Sequence, residues 1–255
     1  MEIRKSIASI KAELNSYPPQ ELMSFCSIYS DDDRSGVQAL VKRAKKLFED
    51  YEKELVRIEK MRVYEDRFLQ KYDIICGIDE AGRGPLAGPV VAGAVILPKD
   101  CHMLYLNDSK KLTAKKREEL YEQIRQEAVS WAVGIVGPER IDEINILQAT
   151  YEAMRKAVSQ LIPAPQMLLN DAVEIPGLSQ PQCSIIKGDA KSISIAAASI
   201  MAKVTRDRIM MEYDKQYPAY GFASHKGYGS AAHIEAIRTY GPSPIHRKTF
   251  IKNFI

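Results

Sequence analysis

The spacing of apolar positions changes once along the chain, near residue 70. From Val37 to about Tyr72, apolar residues recur every three or four positions between charged ones, the pattern of an amphipathic helix. A shorter helix is predicted near Glu2–Asn15, and the segment between the two is predicted to be loop-rich because it holds prolines, a Ser/Asp cluster and Gly36. We therefore predict an N-terminal helical extension over residues 1–70.

The role of the long helix has two interpretations. Its apolar stripe favours a surface helix that docks on the rest of the protein. The cluster Lys42, Arg43, Lys45 and Lys46 at its start would also suit a helix presented to nucleic acid or to a partner. Our hypothesis for the extension is added grip on the substrate.

From Asp73 onward, strand patterns alternate with helical ones. Buried strands are predicted at Ile74–Ile78 and Val90–Leu97, and strand-like runs follow in "VSWAVGIV", "QMLLND" and "CSIIKGD". Helical spacing follows the N-cap candidate Thr113 and covers "ERIDEINILQATYEAMRKAVSQL" and "SISIAAASIMAKVTRDRIMMEYDKQY". This order predicts an α/β domain with a mixed central sheet flanked by helices over residues 71–255.

Three of these strands end in acids, at Asp79–Glu80, Asp171 and Asp189. Open α/β sheets bind ligands at the edge where such strand ends meet, so neighbouring strands would bring the four carboxylates together. Successive side chains of a continuing strand point to opposite faces. The first strand is therefore predicted to end at its two acids, where the turn "AGRGPLAG" begins.

Four clustered carboxylates repel one another unless cations neutralise them. Ligand sets made only of oxygen suit Mg²⁺ or Mn²⁺, and two such ions about 4 Å apart stabilise the attacking and leaving oxygens of phosphodiester hydrolysis. A single Asp of this kind is more often a strand-end cap or a surface charge. Three strands that all end this way predict a site for two divalent ions.

Two other motif interpretations fail. "GRGPLAG" has the spacing G-x-G-x-x-x-G rather than the dinucleotide fingerprint, and "KGDAKS" lacks the Gly-Lys-Ser core of a phosphate-binding loop.

Four blocks of the chain together resemble the ribonuclease HII family, the type 2 ribonucleases H. They are "GIDEAGRGPLAGPVVAGAVIL", "NDSKKLT", "KGDAKSISIAAASIMAKVTRDRIM" and "GFASHKGYGSAAHIEAIRTYGPSPIHRKTF". The resemblance runs from about Ile74 to the C-terminus. It implies a ribonuclease H-like fold and an endonuclease that cuts the RNA strand of RNA–DNA hybrids and incises 5′ to a lone ribonucleotide in duplex DNA, leaving 3′-hydroxyl and 5′-phosphate ends.

The resemblance also implies roles for individual residues. Asp79, Glu80, Asp171 and Asp189 match the family's four catalytic, metal-binding acids. If these acids hold two Mn²⁺ or Mg²⁺ ions, we expect Asp79 to bridge both. The glycine–arginine–glycine turn that contacts the substrate around the ribose 2′-hydroxyl, and the tyrosine that senses the ribo- to deoxyribonucleotide junction, match Gly82, Arg83, Gly84 and Tyr228.

The chain departs from the family pattern in two places. Ala172 stands where the family often has Gly after the third acid, which matters if that position needs a positive φ. The minimal family domain lacks the segment before about Lys71.

The remaining chemistry supports a polyanionic partner. The 2′-hydroxyl is what distinguishes RNA from DNA, a glycine turn can approach a ribose closely, and Arg83 can hold a phosphate with its fork. Lys110, in a loop, is a further candidate phosphate contact. His225, Lys226, His246, Arg247 and Lys248 predict a basic, phosphate-contacting surface, whereas the hydroxyls of Ser192, Ser194 and Ser199 are expected to bond backbone groups.

Composition adds limited information. The formal net charge of +3 is mildly basic, and the four scattered cysteines indicate reduced thiols rather than a zinc or disulfide framework. The N-terminal segment contains acids and does not resemble a secretory signal, and no apolar run reaches the about 20 residues of a membrane span. We expect a cytoplasmic monomer that handles ribonucleotide removal and RNA primer processing.

Two alternatives remain. A nuclease directed at DNA, such as a junction resolvase, would keep the fold, but it has no use for a turn that reads a 2′-hydroxyl. A catalytically silent nucleic-acid-binding module would not need all four acids.

Overall fold

The computed structural model describes residues 4–253. Its contacts divide the chain into two compact units, one up to Lys60 and the other from Met61 onward. Each unit is described here by itself.

The first unit is helical. Its helices are α1 (Ile7–Ser16), α2 (Leu22–Tyr29) and α3 (Ser35–Met61), which ends one residue into the second unit. The predicted first helix is confirmed within the described residues. The predicted loop between the two helices is wrong, because it contains α2.

Spacing explains that error. Leu22, Phe25, Cys26 and Tyr29 lie three or four positions apart and are all buried against α1 and the start of α3. The prolines that suggested a loop fall before α2, where a short 3₁₀ turn, Pro19–Glu21, begins.

The long helix predicted up to Tyr72 is two helices. α3 ends at Met61, and α4 (Val63–Leu69) follows after Arg62. Within the second unit, Tyr64 and Phe68 of α4 pack on the sheet, in a cluster that includes Ile75.

The second unit is built on a five-stranded mixed sheet, which confirms the predicted architecture. Its strands are β1 (Ile75–Ala81), β2 (Val90–Ile96), β3 (Ser130–Val136), β4 (Met167–Asp171) and β5 (Gln182–Ile185). They lie in the order β3-β2-β1-β4-β5. β2 pairs antiparallel with both β1 and β3, and β4 pairs parallel with both β1 and β5.

Helices cover the sheet. They are α5 (Ala114–Glu127), α6 (Pro138–Val158) and α7 (Ile193–Gln216), followed by the smaller α8 (Phe222–His225), α9 (Ala231–Tyr240) and α10 (Lys248–Ile251). The predicted cap Thr113 is confirmed, since its side chain accepts from the Lys116 amide. α6 is interrupted at Asn145, whose φ is 66°, and the Asn145 side chain caps the helix that resumes after it.

Glycines let α7 approach the sheet closely. A Cβ at Gly77 of β1 would lie 2.1 Å from the Ser194 carbonyl carbon, and one at Gly93 of β2 would lie 2.3 Å from the Ala198 carbonyl oxygen. Since side chains alternate along a strand, Asp79 lies on the same face of β1 as Gly77. The glycines thus place the start of α7 directly over the strand that carries the first acid.

No helix within residues 4–253 is both long and apolar enough to cross a membrane.

Candidate active site

Three aspartates meet at the carboxyl ends of the parallel strands. Asp79 lies in β1, Asp171 ends β4, and Asp189 lies in the 3₁₀ turn Gly188–Ala190 that follows β5. One carboxylate oxygen from each lies within 4.8 Å of the others. We call these three residues the acidic edge. Their convergence follows from the parallel pairing of β1 with β4 and of β4 with β5.

Backbone geometry holds Asp171 in place. Its Oδ1 accepts a hydrogen bond of 2.7 Å from the Gly188 amide, one residue before Asp189. The chain then turns sharply, because Ala172 has a φ of 58°. The substitution of Ala for Gly at this position therefore falls where a positive φ is needed.

Glu80 is not one of the three residues of the acidic edge, although its charge acts on Asp79, and burial together with the charge of Asp171 raises its own pKa. The prediction that β1 ends at its two acids is wrong, because pairing with β2 continues to Ala81 opposite Val91. Alternation along the strand then separates the side chains of Asp79 and Glu80. The Glu80 carboxylate instead lies 3.3 Å from the Arg83 guanidinium.

The acidic edge carries unbalanced negative charge. Burial, then the charges of Glu80 and Asp171, raise the pKa of Asp79 well above its usual range, although a hydrogen bond from Ser199 opposes this. Burial, followed by the neighbouring Asp108 and Asp171, also raises the pKa of Asp189. A set of carboxylate oxygens in close proximity without enough local cations is the donor set that a hard divalent cation fits.

The serine contact corrects another prediction. The Ser199 hydroxyl bonds side chains rather than backbone: it hydrogen-bonds to Asp79, and its oxygen lies 2.9 Å from Ser109 Oγ.

Asp108 is a site residue that sequence reasoning missed. Its carboxylate hydrogen-bonds to Asp189, and its Oδ1 accepts from the Lys110 amide at 2.9 Å. Burial alone would lower the pKa of Lys110. The nearby carboxylates of Asp108, Asp79 and Asp189 have the larger combined effect, so the pKa is raised. The position of Asp108 within "NDSKKLT", beside a lysine, was the available signal.

The turn after β1 presents its middle side chain to solvent. We call Gly82, Arg83 and Gly84 the GRG turn. Gly82 has a φ of 97°, and a Cβ there would lie 2.1 Å from Arg206 Nε. Gly84 differs, because the nearest atom to an added Cβ is Tyr228 Cε1, at 3.9 Å. The fold therefore requires glycine at position 82, whereas a Cβ at position 84 would clash with no other atom.

Arg247 supports the GRG turn from beneath. It is fully buried, and it donates to the carbonyl oxygens of Gly82 at 2.5 Å, Arg83 at 2.9 Å and Gly88 at 3.0 Å. Burial, then the nearby charge of Arg206, lowers its pKa to about 9. The prediction that Arg247 and His246 form a phosphate-contacting surface is wrong, because both are buried and bond internal groups.

Arg206, from α7, supports the other side of the same segment. It is fully buried and donates to the carbonyl oxygens of Pro89 at 2.9 Å, Ala87 at 3.1 Å and Lys226 at 2.9 Å. Its guanidinium carbon lies 5.8 Å from the centre of the Tyr228 ring. One side chain thus connects the segment after the GRG turn with the loop that carries Tyr228.

An open cleft of about 650 Å³ joins these features. It is lined by Glu80 and by five residues predicted to contact substrate, Gly82, Arg83, Gly84, Lys110 and Tyr228, but, among the described residues, by none of the basic C-terminal ones predicted to contact phosphate. It is also lined by five residues that sequence reasoning did not assign to substrate: Ala81, Ser109, Arg117, Ser199 and Lys203.

Two known protein families match most of the chain. Residues 76–253 match the family described as Ribonuclease HII, and residues 6–69 match the family described as Ribonuclease HII N-terminal domain. The chain belongs to the ribonuclease HII family.

Curated ribonucleases HII are similar over most of their length. The protein from Lachnoclostridium phytofermentans is 60% identical over 88% of each chain. The one from Clostridioides difficile is 53% identical over 98% of this chain and 99% of its own.

Solved structures share the fold. Ribonuclease H2 from Pyrococcus horikoshii is 30% identical, with a TM-score of 0.57 over 69% of this chain and 93% of that one. RNase HII from Archaeoglobus fulgidus, solved in a complex with PCNA, is 28% identical with a TM-score of 0.56, over 69% of this chain and 94% of that one.

Membership of the ribonuclease HII family establishes the general activity. The protein is a ribonuclease H, a divalent-metal-dependent endoribonuclease that hydrolyses the RNA strand of RNA–DNA hybrids. Its sheet has the ribonuclease H-like fold.

Proposed function

We propose that this ribonuclease H incises 5′ to ribonucleotides, including a single ribonucleotide in duplex DNA, and leaves 3′-hydroxyl and 5′-phosphate ends. The observation that carries the proposal is the single cleft in which Glu80, the GRG turn and Tyr228 lie together, next to the acidic edge. A cleft of this kind can contact the ribose of a bound nucleotide while the adjoining phosphate lies near the carboxylates.

The acids hold two Mg²⁺ or Mn²⁺ ions in this proposal. Asp79 would be the ligand shared by both ions, because its carboxylate lies within 4.8 Å of those of Asp171 and Asp189 and Glu80 is its neighbour in β1. When bound, such cations activate the attacking water and offset charge on the reacting phosphate. No protein nucleophile takes part.

The GRG turn reads the ribose. With no Cβ at Gly84, the backbone there can approach the 2′-hydroxyl, and Arg83 is exposed enough to reach a phosphate. Tyr228, with 43% of its surface exposed, offers its ring to the sugar at the junction with DNA. Lys110, at the edge of the cleft, contributes charge to hold the nucleic-acid backbone.

The cellular setting is part of the same proposal. The protein acts in the cytoplasm as a monomer, on ribonucleotides left in DNA and on RNA primers. Its activity requires a hybrid or a ribonucleotide-containing duplex and no other partner.

The N-terminal extension adds grip on the substrate, as its basic cluster at residues 42–46 suggests. Its test is a deletion that stops at Lys60, because residues 61–69 pack on the sheet of the second unit. The truncated protein should bind the duplex more weakly and cut at the same position. Unchanged affinity in a folded truncation would refute this role.

The decisive experiment uses duplex DNA with one ribonucleotide, incubated with Mn²⁺ or Mg²⁺. A metal-dependent nick 5′ to that ribonucleotide supports the proposal. Cleavage of a long hybrid without that nick would retain the metal site and refute the roles of the GRG turn and Tyr228. Cleavage of neither substrate would favour a binding module.

A further inference from the structure

Three histidines lie behind Tyr228 and take no part in the proposed chemistry. His225 ends α8, His233 lies in α9 and His246 precedes α10. The rings of His225 and His233 stack at 4.4 Å between centroids, and those of His233 and His246 are 5.1 Å apart. His233 and His246 are 0% and 2% exposed, so each polar atom in them needs an internal partner.

Both ring nitrogens of His233 and of His246 are hydrogen-bonded. His246 Nδ1 lies 2.9 Å from the Ser243 amide nitrogen and 2.7 Å from the Ser243 hydroxyl. The two Nε2 atoms of His246 and His233 are 3.0 Å apart. His233 Nδ1 lies 2.8 Å from the Tyr228 carbonyl oxygen. These contacts form one continuous chain from Ser243 to Tyr228.

The two ends of the chain determine where its protons are. An amide N–H can only donate, so His246 Nδ1 is an acceptor and carries no proton. A carbonyl oxygen can only accept, so His233 Nδ1 carries a proton. One proton remains for the pair of Nε2 atoms, and it belongs to His246, because without it that ring would be an imidazolate.

This assignment makes both rings neutral. A second proton on His233 would place two N–H groups against each other, and one on His246 would displace the Ser243 amide. The groups packed around the pair are the aromatic rings of Tyr220 and Phe222 and the imidazole of His225, none of which supplies a negative charge. Burial accordingly lowers the pKa of both, that of His246 to about 4.

We propose that His246 and His233 are positioning residues that set the place of Tyr228 in the cleft through its backbone carbonyl. The inference rests on the proposed role of Tyr228 as a substrate contact. Arg247, the next residue after His246, bonds the carbonyls of the GRG turn. Residues 246 and 247 therefore support the two sides of the cleft from adjacent positions.

The first test needs no variant. Two-bond ¹H–¹⁵N correlation spectra of the full-length protein, labelled at histidine, report which ring nitrogen carries each proton. Between pH 6 and 8, His233 should carry its proton on Nδ1 and His246 on Nε2, with neither ring charged. A proton on Nε2 of His233, or an imidazolium at either residue at pH 7, would overturn the proposal.

The second test is a double-mutant cycle. kcat and KM are measured on duplex DNA with one ribonucleotide in the presence of Mn²⁺, for His233→Phe in the native and Tyr228→Ala backgrounds. His233→Phe should lower kcat/KM roughly tenfold in the native background, the scale of one lost hydrogen bond, and less than twofold when Tyr228 is absent. His233→Asn keeps a donor near the position of Nδ1 and should recover most of the loss.

The outcomes separate this inference from the proposed function. An equal loss in both backgrounds would show a general structural effect and refute the positioning role. If Tyr228→Ala lowers cleavage and His233→Phe does not, only the inference fails. If Tyr228→Ala has no effect, the proposed role of Tyr228 fails and the inference fails with it. The matched control is His102→Asn, at an exposed histidine outside the cluster, which should leave kcat and KM unchanged in both backgrounds.

Discussion

The acidic edge, whose Asp79 lies in β1, and the GRG turn, which follows β1, hold buried charge in opposite ways. The aspartates of the edge lie together with few cations, so burial and mutual repulsion raise the pKa of Asp79. Beneath the turn, the charges of Arg206 and Arg247 are spread over six backbone carbonyl oxygens. The edge is thus arranged to receive a ligand, whereas the arginines are already satisfied and stabilise the backbone that approaches the ligand.

The two kinds of residue should therefore respond differently to substitution. Removing a carboxylate from the edge relieves repulsion and removes a ligand for the cation. Removing an arginine leaves buried carbonyls without donors.

The largest effect is expected from Asp79→Asn. Cleavage should fall roughly 1,000-fold or more, because several kcal/mol of charge stabilisation in the transition state depend on the cations. Binding of the uncleaved duplex should remain. The measurement is single-turnover cleavage beside a binding titration, with the exposed Asp100→Asn as control. Cleavage within tenfold of the native rate would remove Asp79 from the metal site.

Arg247→Met should mainly affect stability. It leaves three carbonyl oxygens without their donor, so the free energy of unfolding should fall by about 3 kcal/mol. Arg83→Met, in the exposed member of the GRG turn, should stay within about 0.5 kcal/mol of the native protein and lose substrate affinity instead. Denaturant unfolding and KM separate the two. A stable Arg247→Met protein would contradict the supporting role.

The two glycines of the GRG turn form a matched pair. Gly82→Ala meets Arg206 at 2.1 Å and has a φ of 97°, so it should destabilise the protein by about 1–3 kcal/mol. Gly84→Ala finds its nearest atom at 3.9 Å, so the melting temperature should stay unchanged. If Gly84 approaches a ribose, that variant should still lose cleavage. Full activity in Gly84→Ala would remove the proposed contact.

The charge of the acidic edge predicts a pH dependence without metal. A carboxyl whose pKa is raised on folding binds more protons in the native state, so stability falls as pH rises from about 4, its unfolded value, through the raised value of Asp79. Thermal unfolding in a chelator should show this fall. Mn²⁺ should reverse it, and Asp79→Asn should flatten it. Stability that rises with pH in the native protein but not in Asp79→Asn would contradict the raised pKa.

The smallest effect concerns the turn after β4. Ala172 has a φ of 58°, a region that disfavours a residue with a Cβ, so Ala172→Gly should stabilise the protein by up to about 1 kcal/mol. The gain is limited because glycine also gains freedom in the unfolded chain. Denaturant unfolding measures it, and a clear loss of stability would indicate that the Ala172 methyl group makes a favourable contact.

Local patterns in the sequence were enough to predict the strands of the sheet and the mixed α/β architecture. They also located the three aspartates at or near the ends of β1, β4 and β5, although Asp79 lies within β1 and Asp189 lies in the turn after β5. Alternation and helical spacing depend on neighbours a few residues away, and buried strands and caps such as Thr113 follow from them directly. The same local reasoning failed for α2, where the nearby prolines concealed a helical stripe.

The sequence alone indicated that Asp79, Asp171 and Asp189 belong to the ends of three strand segments of one sheet, and the family resemblance indicated their chemistry. Only the tertiary structure decided that the Glu80 carboxylate pairs with Arg83, that Asp108 hydrogen-bonds to Asp189, and that Arg247 and His246 are buried. Those facts depend on pairing partners and on side chains far apart in the chain. A basic residue in a motif has the same letter whether it contacts a phosphate or a buried carbonyl, and only packing distinguishes the two.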